Sequence, residues 1–149
     1  IKDADRRNII QLADGDLNLA LRLSERDENI NQEFFANWMR ACFKKSYGDL
    51  VPMADEFHQL DKLNQRNLLY YGISMMRESL LYIAGSTSIN RTQGGELKFI
   101  QDFSKVLDVL KIEKANRLLS EASYFLERNG SAKMVFLNLS LMLSKVLNP

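Results

Sequence analysis

SAKMVFLNLSLMLSKVLNP (Ser131–Pro149) carries apolar residues around most of a helical circumference. At 3.6 residues per turn, Val135, Leu139, Met142 and Val146 form one stripe, and Phe136, Leu143 and Leu147 a second. Met134, Leu137 and Leu141 form a third. Ser131 is a good N-cap, so the spacing predicts a helix over about 131–147. A helix this apolar belongs in a core or in an interface. Burying each such side chain is worth about 1.5–3 kcal/mol, and several left bare make a partner surface. Two readings stay open from the pattern alone: a core helix sandwiched by its neighbours, or an oligomer interface.

Working back from that helix, the rest of the chain also reads as helices. Ala115, Leu118, Leu119, Ala122, Phe125 and Leu126 predict an inward face over about 112–128, and Leu97, Ile100, Phe103, Ser104 and Leu107 another before it. The segment Gly85–Gly95 (GSTSINRTQGG) is polar and flanked by glycine, the one long loop expected. Residues 64–84 carry two apolar stripes, which predicts a central helix packed on more than one neighbour. Phe34, Phe35, Trp38, Met39, Cys42 and Phe43 follow i, i+3, i+4, i+7, i+8 spacing from Asn31 onward. Gly48 is expected to stop that helix. Asp49 is expected to cap a short one with Pro52 in its first turn. Nearer the start, a short helix should run to about Ala13, turn at Gly15, and restart from Asp16 with Leu17, Ala20 and Leu21 on one side. It should give way near Arg26–Asn31. No strand-like alternation persists, and no repeat of solenoid length is visible.

Composition narrows the function classes. The 149 residues are 46% hydrophobic and 26% charged with a net charge of +1, the balance of an ordinary globular domain. Basic and acidic residues are interspersed without a continuous basic stripe, so nucleic acid ranks last among partners. Cys42 is the only cysteine, which excludes an internal disulfide and fits a reducing compartment. Apolar runs such as Met134–Leu137 are far below a membrane span, and no signal-peptide pattern opens the chain. The first residue is Ile1 rather than Met, which points to a fragment or a trimmed product.

Catalytic and cofactor constellations do not assemble. Neither GxxxxGK[ST] nor GxGxxG occurs, and His58 is the only histidine, so no histidine pair can hold a metal within one chain. Cys42 lies on the FFANWMRACF core stripe, where packing outweighs nucleophilic chemistry. Asp27–Glu28 and Asp55–Glu56 read as solvated charge, Phe43–Lys45 as a complement to a helix C-terminus, and the pairs at 70–71 and 75–76 as core filling. The expectation is a non-enzyme with no cofactor, no metal and no small-molecule substrate.

LADGDLNLALRL (Leu12–Leu23), the helical cluster that follows, and EASYFLERNGSAKMVFLNLSLML (Glu121–Leu143) together resemble the C-terminal part of a subunit of the bacterial DNA polymerase III clamp loader. In that family the lid domain of the AAA+ module ends in helix, glycine, helix, with the form A-x-G-[small]-x-x-x-A-L. Ala13–Leu21 has that form. The collar domain that follows ends in a leucine-rich helix. The position three after the glycine is, in the family's ATPase subunits, the sensor-2 arginine that reaches the nucleotide phosphates. Here it is Asn18, whose neutral amide cannot stabilise phosphate charge as a guanidinium does. The resemblance is therefore to the delta-prime kind of subunit rather than the gamma/tau motor. Two departures stand in the last helix: Ser131 where the family often has asparagine, and Asn138 where it frequently has aspartate.

The resemblance implies an all-α chain of about seven to eight helices, with residues 1–26 as the end of the lid and 27–149 as a collar. It implies a cytoplasmic, structural role in DNA replication. The collar joins gamma/tau, delta and delta-prime subunits into the ring that opens a sliding clamp, and DNA is met only indirectly through the assembly. Delta-prime acts there as a rigid stator. The expected interface residues are Phe136, Leu139, Leu143 and Leu147, with the 64–84 helix beside them. Two rivals remain: the tail of a motor subunit whose sensor-2 position has drifted, and an unrelated helical adaptor that takes a peptide or helix in a groove.

Overall fold

The computed structural model describes residues 25–85, 94–128 and 130–149, and these form six α-helices with no strand among them. They are α1 (Glu25–Lys44), α2 (Tyr47–Gln59), α3 (Lys62–Ile83), α4 (Gly94–Ser104), α5 (Val109–Glu127) and α6 (Ala132–Leu147). The helices expected before residue 25, the Gly15 turn and most of the Gly85–Gly95 loop lie outside the described residues.

Local chemistry sets most of the boundaries. Asp61 caps α3 by accepting from the Asn64 N–H at 2.8 Å, and Asp108 caps α5 by accepting from the Lys111 N–H at 2.8 Å. Ser131 caps α6 more loosely, accepting from the Met134 N–H at 3.4 Å. Gly85 follows α3 at φ +77°, a left-handed position that glycine takes without a Cβ clash.

Two expected boundaries are corrected. The polar run Arg26–Asn31 does not interrupt the chain, because α1 begins at Glu25 and continues through it. That run contains neither glycine nor proline, so polarity alone marked it as a break. The 26/27 division consequently falls within the first turn of α1. Gly48 does not end α1 either. Lys45 adopts the left-handed conformation (φ 56°), the Ser46 N–H closes onto the Ala41 carbonyl at 3.0 Å, and Gly48 lies inside α2. Because α2 starts at Tyr47 with Ser46 as N-cap, Pro52 sits one turn deeper than expected, inside the helix.

The packing order follows from named contacts. α1 and α6 run parallel: Phe34 meets Phe136 with ring centroids 6.0 Å apart, Trp38 Nε1 donates to Ser140 Oγ at 2.8 Å, and Asn148 Nδ2 donates to the Phe43 carbonyl at 2.8 Å. α5 runs antiparallel to both α3 and α6. Arg66 on α3 lies 3.9 Å from Glu127 at the far end of α5, and Lys111 Nζ donates to the Leu147 carbonyl at 3.4 Å. α3 packs on α5, α4 and α1, as its two apolar stripes predict. Gly72 on α3 lets Phe35 and Leu119 close over the helix, since a Cβ there would stand 2.9 Å from the Phe35 ring and 3.4 Å from Leu119.

Candidate functional site

α6 is held on three sides, by α1, α2 and α5, and open on the fourth. Its inner face is Phe136, Leu139, Leu143 and Leu147, each at most 3% exposed. These are the four residues the resemblance marks for a subunit interface. The structure places them in the chain's own core, where Phe136 stacks on Trp38 at 4.7 Å and lies tilted against Phe57 at 5.0 Å. The correction has a simple cause: three helices of the same chain converge on that stripe, so it is saturated before a neighbour arrives. Asn18 lies outside the described residues.

What periodicity missed on the inner face is polar. Ser140 is fully buried, donates to the Phe136 carbonyl at 2.7 Å and accepts from Trp38 Nε1 at 2.8 Å. Ser144 is also buried and donates to the Ser140 carbonyl at 2.8 Å. Each hydroxyl bonds back into its own helix, so burial leaves no donor unmet. Cys42 completes this seam, its Sγ 3.6 Å from the Ser140 carbonyl. Burial pushes the Cys42 thiol up to about 12, and the Ser144 hydroxyl pulls weakly the other way. A thiol held neutral in this way is a packing group rather than a nucleophile.

The outer face of α6 presents Met134, Leu141 and Met142, of which Met134 is 63% exposed. Met134 shares a surface depression of about 470 Å³ with Phe125, Leu118, Val135 and Asn138. Tyr124 continues the patch, edge-on to Phe125 at 5.9 Å and covered by the Arg128 guanidinium at 4.4 Å. A second patch lies at the other end of α5. The antiparallel register of α3 and α5 sets the end of α3, where Tyr82 and Ile83 are exposed, at the same end of the pair as the start of α5, where Val109 and Leu110 are exposed. At 1.5 Å per residue, the two patches are about 22 Å apart along α5. Clustered Tyr, Phe, Met and Arg is the composition that interface centres favour.

Other expected residues fall where solvent or core claims them. His58 and Glu56 are exposed, and Asp55 pairs with Lys133 at 2.7 Å across α2 and α6. Tyr71, Met75 and Met76 are buried, and the Tyr71 hydroxyl reaches Glu96 Oε1 at 2.9 Å, tying α3 to α4. Among the described residues no three His, Cys, Asp or Glu side chains group as metal ligands, and no helix is long and apolar enough to cross a membrane.

An all-helical domain with two exposed apolar patches is the class these observations define. Compared with protein families, curated proteins and solved structures, the chain matches none.

Proposed function

We propose that this chain is a non-catalytic assembly domain of the collar type, joining neighbouring subunits of a clamp-loader ring. The observation that carries the proposal is the pair of apolar patches at opposite ends of α5, Tyr124–Phe125–Met134 and Tyr82–Ile83–Val109–Leu110. A subunit inside a ring is touched from two sides by different surfaces of its neighbours, which is a heterologous contact. Two separated patches suit that geometry better than one. The sequence features of the resemblance, the Ala13–Leu21 pattern and Asn18 in place of arginine, support the delta-prime kind of subunit. The partners on this reading are gamma/tau and delta, and the protein works in the cytoplasm. The contact is made by outward side chains, since Phe136, Leu139, Leu143 and Leu147 belong to the core.

Co-expression with gamma/tau and delta subunits tests this, with complex formation followed by size-exclusion chromatography and light scattering. A stoichiometric complex is expected. Phe125→Asp with Met134→Asp should remove one neighbour, and Val109→Asp with Leu110→Asp the other, while circular dichroism keeps its helical signature. Absence of any complex, or a complex indifferent to both pairs, overturns the proposal.

A further inference from the structure

The seam between α1 and α4 is spaced differently from the rest of the bundle. Its two backbones stay apart, and Phe35 bridges the gap to Phe99 at 5.9 Å and Phe103 at 6.3 Å. The gap leaves a pocket of about 180 Å³ with Met39, Phe99, Phe103 and Val106 as its apolar lining and Phe43 at its mouth. Arg40 and Lys44 stand on the rim, both exposed. Arg40, Phe99 and Asp102 also line a neighbouring depression of about 490 Å³ that reaches Lys98, so the two are one groove.

Charge decides what such a groove accepts. Asp102, the acid lining the pocket, is already paired with Lys105 at 3.5 Å. Arg40 donates only to Asn37 Oδ1 at 3.2 Å, and neither Arg40 nor Lys44 has an ion pair among the described residues. Lys45 follows directly. Arg40, Lys44 and Lys98 outnumber the acids Glu33 and Asp102 along the groove, a local positive excess on a chain whose net charge is only +1. The inner lining of the pocket is buried: Met39 is 1% exposed, Phe103 7% and Phe99 9%. A recess of this kind takes an inserted side chain, whereas stacking bases would need a row of exposed rings and the pocket has one exposed ring, Phe43.

We propose that this groove docks a short acidic segment of a partner protein, with one apolar side chain anchored in the pocket and carboxylates along Arg40, Lys44 and Lys98. Apolar insertion supplies the attraction and the rim charges set orientation. This surface is separate from the α5 patches and does not depend on the assembly reading.

Fluorescence polarisation on the full chain tests it with four labelled probes. They are the peptide Ac-Glu-Glu-Asp-Glu-Leu-Phe, its Lys-Lys-Lys-Lys-Leu-Phe analogue, its Glu-Glu-Asp-Glu-Gly-Gly analogue, and an oligothymidylate. The first peptide should bind, with affinity falling as salt rises. The two analogues should bind at least about tenfold more weakly, the cost of one lost anchor or reversed charge set. Arg40→Glu with Lys44→Glu should weaken the first peptide at least about tenfold. Val106→Trp should do the same by filling the pocket, with both variants checked for helicity. No binding of the first peptide, binding indifferent to both variants, or equal binding of the oligothymidylate overturns the proposal.

Discussion

The two faces of α6 are nearly equal in sequence and opposite in the structure. Phe136 sits against Trp38 and Phe57, and Leu143 and Leu147 are buried beside it on the same face, while Met134, Leu141 and Met142, from the same helix, face outward. Residue type does not separate them. The inner face even carries two serines, Ser140 and Ser144, and the outer face two methionines. What separates them is that α1, α2 and α5 close three sides of α6 and leave the fourth open. An apolar residue is a core residue when its own chain reaches it first, and a contact residue when it does not.

Substitutions on the two faces should therefore differ sharply. Leu143→Asp places an unpaired charge in the core and should cost more than about 4 kcal/mol, read as loss of the cooperative urea transition. Retention of a normal transition would put the inner face at the surface. The alkaline limb of stability tests the same face through Cys42. Its thiol rises from 9.0 in the unfolded chain to about 12 in the fold. The raised value means the group stabilises the fold fully below pH 9, and that contribution is lost as pH climbs towards 12. Three units correspond to about 4 kcal/mol at the upper limit. Cys42→Ala should lose that component of the pH dependence, followed by denaturation at pH 8 and pH 11. An unchanged slope would place the thiol in solvent.

Smaller effects sharpen the contrast. Gly72→Val should cost about 1–3 kcal/mol by pushing Phe35 and Leu119 off α3, measured by thermal unfolding. Asp108→Ala removes the cap of α5 and should cost about 1 kcal/mol. Leu141→Ser on the outer face should stay within about 0.5 kcal/mol of the parent, and a larger loss would show that another part of the chain covers it.

Much of this was legible in the residues. Most of the FFANWMRACF stripe and of the two stripes of residues 64–84 is buried where periodicity placed it, since 3.6-residue spacing maps onto one face, but Phe43, Tyr82 and Ile83 at the helix ends are exposed. Ser131 could be read as the cap of α6 from type and place, and it accepts from the Met134 N–H, whereas Asp49, expected to cap α2, lies within its first turn. The end of α1 could not be read in this way. Gly48 was the stronger turn signal, yet Lys45 makes the turn, its left-handed backbone letting the Ser46 N–H close onto the Ala41 carbonyl, a conformation that a few per cent of non-glycine residues accept. Nor could the buried serines, whose polarity argues for the surface until the back-bonds to Phe136 and Ser140 are seen.

By itself the sequence determined that this chain builds helices, where most of them lie, and that its last helix is too apolar to stand in water. Those properties are local, written in spacing, caps and side-chain type. Only the tertiary structure decided which stripe of that helix is core, which residues are left for a neighbour, and that α1 and α4 part to leave a basic-rimmed groove. Those depend on which elements meet from far apart in the chain, such as Trp38 on Ser140, a pairing no local pattern specifies.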